Sequence, residues 1–191
     1  MASYHLLHEG YVRERGENRV RVGSTVAYVR DGDAHVVIDP GMVASPDRLL
    51  GPLGDLGVEP GDITDVIISH HHPDHTLNAA LFAGARVHDH WAIYHGDLWI
   101  SRPAEGFAVS AGIELWETPG HSPQDITTLV RTGEGRVAFT HCWWTAEGPA
   151  EDPYAPDRDV LRASRTRVLA VADLVVPGHG AAFVPSANTP R

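Results

Sequence analysis

The sequence is poor in cysteine, in long apolar runs and in basic residues, and each shortage excludes a class of protein. A single cysteine, Cys142, cannot form an internal disulfide framework. No apolar stretch approaches the ~20 residues needed to span a bilayer. Residues 1–10 lack the basic start and apolar segment of a secretory signal. We therefore expect a cytoplasmic protein without a membrane partner.

Acidic residues outnumber basic ones by 25 to 15, and the formal net charge is −10. Proteins that hold nucleic acid through its phosphates need clustered Lys and Arg. The only local concentration is Arg162, Arg165 and Arg167, whose spacing predicts the solvated face of a helix. We therefore expect a small-molecule substrate as the partner rather than nucleic acid. No feature of the sequence indicates the oligomeric state.

Histidine is abundant, with 13 residues, and its placement is informative. Residues 70–75 read His-His-His-Pro-Asp-His directly after the apolar run 66–68. Imidazole and carboxylate bind divalent transition metals. At a strand end, alternate residues such as His70 and His72 point the same way and can reach one ion. Asp74 and His75 follow on the next turn, which indicates the beginning of a second site.

Three further predicted strands also deliver histidine. Two of them continue into Pro-Gly-His, at 119–121 and 177–179, and a third, 137–140, ends at His141. Pro-Gly makes a tight turn, which holds the following histidine on a short, stiff loop. Strands that end at a shared sheet edge can bring these imidazoles to one point.

The remaining pattern predicts one α/β domain with mixed strands over residues 1–191. Apolar residues make up 42% of the chain, a globular composition. β-Branched runs and turn residues predict the strands, and apolar periodicity with caps predicts helices near 45–57, 76–83 and 156–173. The polar tail, 186–191, is expected to be frayed. The predicted strands are 20–22, 25–29, 35–39, 65–68, 85–88, 113–117, 126–130, 137–140 and 174–176.

These motifs, in this order, resemble the metallo-β-lactamase superfamily, in particular its small members that consist of little beyond the core fold. The resemblance covers nearly the whole chain and includes the segment Ile38-Asp39-Pro40-Gly41. It implies a four-layer αβ/βα sandwich, with two mixed sheets between helices and metals at one sheet edge. Carried over by position, the first metal takes His70, His72 and His121, and the second takes Asp74, His75 and His179.

The chain departs from the superfamily pattern at Thr140-His141, where the superfamily usually has Gly-Asp or Ser-Asp. That aspartate normally bridges the two ions, whereas an imidazole nitrogen has one in-plane lone pair and binds one ion terminally. Three hypotheses follow. The second site is weak, or His141 is a terminal ligand, or His141 turns away and acts as an acid–base group. We favour His141 as a ligand.

The expected cofactor is one or two divalent metal ions, zinc first, with iron or manganese as alternatives. A dication on neutral histidines with an open position lowers the pKa of bound water to about 7 and so supplies hydroxide at neutral pH. Asp74 is expected to be first a ligand and second a catalytic group that positions this water or accepts its proton.

The substrate is the least determined feature. Trp143 and Trp144 follow His141 directly, and Trp91 and Trp99 lie in a stretch expected to be irregular. These rings either pack loops onto the sheets or wall an apolar substrate beside the metal. We expect a metal-dependent hydrolase that uses metal-bound hydroxide on a small ester, thioester or lactone. The alternatives are a phosphodiesterase or ribonuclease of the same fold, an iron-dependent oxidative or rearrangement enzyme with the altered His141 site, and a metal-binding or ligand-sensing protein without turnover.

Overall fold

Fourteen strands and three α-helices make up the computed structural model, which describes all 191 residues. The helices are α1 (Asp47–Asp55), α2 (Pro73–Thr76) and α3 (Arg158–Leu169), and two short 3-10 helices cover Pro60–Asp62 and Ala79–Phe82. The strands are β1 (Ser3–His8), β2 (Tyr11–Glu14), β3 (Val20–Gly23), β4 (Val26–Asp31), β5 (Ala34–Ile38), β6 (Asp65–Ile67), β7 (Arg86–His88), β8 (Ala92–His95), β9 (Leu98–Ser101), β10 (Phe107–Ser110), β11 (Ile113–Glu117), β12 (Ile126–Thr132), β13 (Gly135–Thr140) and β14 (Leu174–Pro177).

The strands form two main sheets and one separate hairpin. The first sheet has seven strands in the order β1-β4-β5-β6-β7-β8-β9, and the second has five in the order β10-β11-β12-β13-β14. The hairpin β2–β3 stands apart from both sheets. Since β5, β6 and β7 pair in parallel while their neighbours pair antiparallel, the first sheet is mixed. The second is mixed as well, because β13 and β14 are parallel.

The main core lies between the two sheets. It joins inward residues of the first sheet, such as Ile38 and Ile67, to inward residues of the second, such as Leu115, Phe139 and Val176. Alternate strand residues point to opposite faces, so each strand also contributes side chains to the outer face of its sheet.

Helices cover the two outer faces. Leu49 and Leu53 of α1 pack with Val37 and Val66 on the outside of the first sheet. Leu161 and Val168 of α3 pack against the outside of the second sheet. The result is the predicted four-layer arrangement of helix, sheet, sheet and helix. None of the helices has the length and apolar character that a membrane crossing requires.

Strand direction places the histidine-bearing ends together. In the second sheet β11, β13 and β14 run the same way, because β12 is antiparallel to β11 and β13. In the first sheet β5 and β6 are parallel. The two sheets meet at this edge through a hydrogen bond from Ile126 N to Ser69 O at 2.9 Å.

Several local predictions were wrong. The continuous helix expected over 76–83 is interrupted, because Asn78 donates its backbone N–H to Pro40 O and its side-chain amide to Gly41 O. The stretch expected to be irregular forms the hairpin β8–β9. The strands β1, β2 and β10 were not predicted. In the polar tail, Pro190 O accepts a hydrogen bond from Trp143 Nε1 at 2.8 Å and Thr189 is buried, while residues 186–188 and 191 are exposed.

The prediction for the arginines of α3 was wrong at one position. Arg162 and Arg167 are exposed as expected, but Arg165 is 1% exposed. Its guanidinium donates to Cys142 O, Ala150 O and Pro149 O at 2.7–2.8 Å. Arg165 therefore fastens α3 to the loop that follows β13.

Candidate metal centre

Four strand ends bring six histidines and one aspartate to one edge of the sandwich. His70 and His72 follow β6, while Asp74 and His75 lie on α2, directly after them. The other three histidines follow β11, β13 and β14, and they are His121, His141 and His179. All seven belong to groups of three in which the potential ligand atoms lie within 4.8 Å of one another. The structure thus brings together every residue predicted as a metal ligand.

His70, His72 and His121 form the first group. The Nε2 atom of His121 lies 3.1 Å from Nδ1 of His72. That separation is close to the about 3.3 Å expected between two nitrogens on one tetrahedral zinc, given zinc–nitrogen distances of about 2.0–2.1 Å. The three rings therefore present their lone pairs to a common point.

Asp74, His75 and His179 form the second group. Asp74 Oδ2 lies 3.6 Å from His75 Nε2 and 3.5 Å from His179 Nε2. This set of one carboxylate and two imidazoles suits a divalent transition metal.

His141 lies inside the cluster rather than turning away from it. It is buried and belongs to a third group, with His70 and His75, and to a fourth, with His121 and Asp152. Its Nε2 atom is 3.1 Å from His179 Nε2, and its Nδ1 atom has no hydrogen-bond partner. The side chain is therefore placed as a ligand would be, between the two predicted sites.

Neighbouring groups fix the orientation of these imidazoles. The Nδ1 atom of His75 pairs with Asp39 Oδ2 at 2.8 Å, and that of His121 pairs with Asp152 Oδ2 at 2.9 Å. His179 Nδ1 donates to Gly23 O at 3.0 Å. A histidine that donates through one nitrogen is left with the other free to bind a metal.

The free nitrogens of the cluster meet the test of a metal site. The buried Nε2 atoms of His70 and His75 have no hydrogen-bond partner, and neither has Nδ1 of His141. Buried polar atoms almost always have a hydrogen-bond partner, so a group of unpartnered nitrogen atoms that lie close together indicates a shared ligand. The residues present fit one or two divalent cations.

The electrostatics favour the neutral imidazoles that a metal requires. Burial lowers the pKa of His70 and His141 well below its ordinary value, and neighbouring histidines lower it further. Burial alone would also lower the pKa of His75, but the charge and hydrogen bond of Asp39 outweigh it and raise that pKa. Asp39 thus favours the protonated form of His75, in contrast to the neutral forms favoured at His70 and His141.

Two glycines allow the close backbone approaches at this edge. A Cβ atom at Gly41 would lie 1.5 Å from Asp74 O, and one at Gly178 would lie 2.3 Å from Cδ2 of His141. Any side chain at either position would displace a metal-site residue. The turn residues after β5 and β14 are therefore part of the construction of the site.

A cavity of about 540 Å³ opens above the cluster. His72, His121 and His179, together with Asp74, lie at its floor. The hairpin β2–β3 forms one wall through Val12, Glu14, Val20 and Val22, and the loop after β13 forms the other through Trp144, Pro153 and Tyr154. The rings of Trp144 and Tyr154 stack with centroids 5.8 Å apart.

Of the four tryptophans proposed to contact substrate, Trp144 alone lines this cavity. Trp143 is fully buried in the core under α3, because adjacent residues of an extended segment point to opposite sides. Trp91 and Trp99 belong to the region of the β8–β9 hairpin, where Trp91 lies against His71 and Trp99 against Tyr94. Trp143 therefore serves core packing, whereas Trp91 and Trp99 are exposed and do not line this cavity.

The sequence did not indicate several residues of the site. Asp152 is buried and accepts from Trp144 Nε1 at 2.7 Å as well as from His121, so one carboxylate holds both a cavity wall and a histidine. No local motif marks it, because it lies 31 residues from His121 in an irregular loop. Asp39 could have been recognised from the sequence, as an acidic residue at a strand end before Pro-Gly. No sequence pattern marks Glu14 or Tyr154 as residues of the site.

Comparison with known proteins agrees with this construction. The sequence family described as the metallo-beta-lactamase superfamily matches residues 19–182. Metallo-beta-lactamase domain-containing protein 1 of Xenopus laevis is 32% identical over 95% of this chain and 81% of its own length. The Homo sapiens protein of the same name is 36% identical over 84% of this chain, and the match spans 64% of its length.

Solved structures show the same fold. A Thermotoga maritima structure described as of the metallo-beta-lactamase type has a TM-score of 0.76 at 24% identity, covering 96% of this chain and 99% of that one. An N-acyl homoserine lactone hydrolase, solved with N-hexanoyl-L-homoserine at its catalytic metal centre, has a TM-score of 0.69 at 18% identity, covering 94% and 92%. A protein solved in a di-iron-bound form has a TM-score of 0.65 at 24% identity, covering 84% and 89%. The chain belongs to the metallo-beta-lactamase superfamily, a superfamily of metal-dependent hydrolases.

Proposed function

We propose that this protein hydrolyses a small ester, thioester or lactone with the help of one or two divalent metal ions. The observation that carries the proposal is the cluster at and beneath the cavity floor, where unpartnered imidazole nitrogens and one carboxylate lie close enough together to share an ion. The walls above this floor are largely apolar and aromatic, as suits a small organic substrate.

A divalent cation at this position supplies Lewis acidity and hydroxide at neutral pH. His70, His72 and His121 would hold the first ion, Asp74, His75 and His179 the second, and His141 would complete the coordination between them. The side chain of Asp74 is 15% exposed at the cavity floor, so its carboxylate can also orient an attacking water or accept its proton. Asp39 and Asp152 keep the imidazoles of His75 and His121 in the orientation that ligation needs.

Zinc is the first choice of metal, and iron is the second. The donor set contains imidazole and carboxylate without a thiolate, since Cys142 is buried in the core under α3. Imidazole suits both zinc and iron. Iron is supported by the fold neighbour solved in a di-iron-bound form. Zinc bound to neutral histidines supports hydrolysis directly.

The ester-type substrate is supported by the form of the cavity and by one fold neighbour. The hairpin residues Val12, Val20 and Val22 offer an apolar surface to an acyl chain or ring. One fold neighbour is an N-acyl homoserine lactone hydrolase, and such a lactone carries an acyl chain on a cyclic ester. A phosphodiester carries a negative charge, and no cationic side chain lines this cavity to bind it beside the metals.

The proposal is tested with a substrate panel and purified protein loaded with zinc, manganese or iron. We expect turnover of a thioester or lactone and little turnover of bis(p-nitrophenyl) phosphate. The double variant His70→Ala, His121→Ala should lose this activity, whereas His95→Ala, at an exposed position of β8, should keep it. Preferential turnover of the phosphodiester would assign the protein to the nucleases, and oxygen consumption by the ferrous protein would assign it to the oxidative enzymes. Inactivity with every substrate would leave a metal-binding protein without turnover.

A further inference from the structure

The walls of the cavity carry negative charge and no positive charge. Glu14 is the one charged side chain of the hairpin that lines the cavity. No arginine lines the cavity, and the chain contains no lysine, since all 15 of its basic residues are arginine. Whatever part of a substrate extends from the metal floor toward the hairpin therefore meets a carboxylate and no counter-ion.

The geometry of the hairpin keeps its arginines off the cavity. Glu14 pairs with Val20 and Val12 with Val22, whereas Arg13 pairs with Arg21 at the position between them. Alternate strand residues face opposite sides, so Arg13 and Arg21 project away from the face that carries Glu14. The Arg13 guanidinium instead lies 5.0 Å from the centroid of Tyr11. The acidic character of this wall thus follows from the register of β2 and β3.

The opposite wall is aromatic. Tyr154 and Trp144 stack with an interplanar angle of 22°, and Asp152 accepts the Trp144 N–H, which fixes the indole in place. Aromatic faces attract cations through the ring quadrupole. A carboxylate on one wall and a fixed aromatic stack on the other form a combination that selects positive charge and rejects negative charge.

We propose that the enzyme discriminates among its substrates by charge, with Glu14 as a specificity-determining residue. Esters or thioesters that carry an ammonium group beyond the scissile carbonyl are preferred over neutral ones. Substrates that carry a carboxylate there, as β-lactams do, are disfavoured. This inference rests on the proposed hydrolytic function and adds the substrate class to it.

The test uses one thioester series with three members, in which the thiol half carries a trimethylammonium, a tert-butyl or a carboxylate group. The zinc-loaded protein should give kcat/KM values in that order. Since Glu14 is exposed, each change of charge should alter kcat/KM by about 1.5- to fivefold, the range typical of exposed charge pairs, and high salt should reduce the difference. The effect should appear in KM rather than in kcat, because Glu14 does not touch the reacting carbonyl.

Variants of the hairpin isolate the contribution of Glu14. Glu14→Gln should remove the preference between the ammonium and tert-butyl members, and Glu14→Arg should reverse the order of the ammonium and carboxylate members. Glu17→Gln is the matched control, since Glu17 is an exposed glutamate of the same hairpin, in its turn, and does not line the cavity. It should leave the order unchanged.

Binding of the three corresponding thioethers, which cannot be hydrolysed, gives a readout independent of turnover. Equal kcat/KM values for all three thioesters, or a Glu14→Gln variant that behaves like Glu17→Gln, would overturn the charge selection and leave the hydrolase assignment intact. Absence of turnover with every member, together with inactivity on the substrate panel above, would instead refute the hydrolase. The thioether affinities would then decide the charge selection: the order ammonium, tert-butyl, carboxylate supports it, and any other order contradicts it.

Discussion

At the residue scale, Asp152 supports the first metal group through a single hydrogen bond to His121 Nδ1 at 2.9 Å. Removing such a supporting carboxylate typically lowers metal affinity by about 10- to 100-fold, because the imidazole loses basicity and orientation. We expect Asp152→Asn to weaken zinc binding by that factor, measured by competition with a chromophoric chelator. Glu151→Gln changes the adjacent exposed acid and should bind zinc like the wild type. Equal affinity for Asp152→Asn would show that this contact is structural only.

His141 occupies the position where the superfamily normally has a bridging aspartate. Its side chain is buried among His70, His75 and His121, so its removal should weaken metal binding by both groups of ligands. We expect His141→Ala to lower the affinity of at least one ion by about tenfold or more, and to reduce the metal content found by elemental analysis. His141→Asp restores the carboxylate and should hold two ions. Unchanged stoichiometry and affinity in His141→Ala would rule out ligation.

The buried thiol of Cys142 makes the free energy of unfolding depend on pH in the alkaline range. Burial raises the pKa of its thiol to about 11 from an ordinary value of 9.0. Because the folded pKa is the higher one, the associated stability is fully present below pH 9 and is lost as the pH rises toward 11. The loss amounts to about 2 kcal/mol by about pH 10.5. Urea unfolding at pH 8 and at the higher pH should show this extra loss in the wild type and not in Cys142→Ala.

The ligand residues could be predicted from the sequence because each lies in a local motif, either the run 70–75 or a histidine just past a strand end. The supporting residues could not. Asp152 reaches His121 only through the path of a long loop, and Glu14 reaches the cavity only because β2 pairs with β3. Likewise nothing local distinguishes Trp143, buried in the core, from Trp144 in the cavity wall. Contacts between distant segments depend on the fold and leave no local signature.

At the scale of elements, α3 and the loop after β13 depend on one buried guanidinium. Arg165 donates to three carbonyls of that loop, at Cys142, Pro149 and Ala150. Replacing it would leave the buried Cys142 carbonyl and two partly buried carbonyls without this donor, so Arg165→Ala should lower the free energy of unfolding by about 3 kcal/mol. Arg162→Ala, on the exposed side of the same helix, should change it by less than about 1 kcal/mol. Urea denaturation of both variants measures the difference, and similar values would contradict this account.

The pattern of elements was predictable where β-branched and apolar residues recur over a short segment bounded by turn residues. The strands β11, β12 and β13 were predicted nearly to their ends for this reason. The hairpin β8–β9 was missed even though Gly96-Asp97 lies between its two strands, since all of β9 is exposed and leaves no alternation to detect. The helix expected at 76–83 failed because Asn78 uses its polar groups for the turn after β5.

At the scale of the whole molecule, the metal cluster joins the two sheets. His70 and His75 belong to the first sheet and its helix α2, whereas His121, His141 and His179 follow strands of the second. An ion held by both sets ties the two halves of the sandwich together at one edge. The four-layer fold followed from the resemblance, whereas the strand pattern by itself predicted one α/β domain with mixed strands. The sequence alone could not show how closely the two halves converge, since that distance is set by the core between the sheets.

Metal binding should therefore stabilise the entire fold. A ligand that binds only the folded state at about a hundredfold excess over its Kd adds about 2.7 kcal/mol. For a chain of this size that corresponds to a Tm about 5–11 °C higher. We expect the zinc-loaded protein to lose this increment when a chelator is added, in calorimetry at constant pH, and to regain it with fresh zinc. His95→Ala should respond like the wild type, and His70→Ala, His121→Ala should respond much less. If the wild-type Tm changed with neither chelator nor zinc, the imidazoles would hold no ion between the sheets.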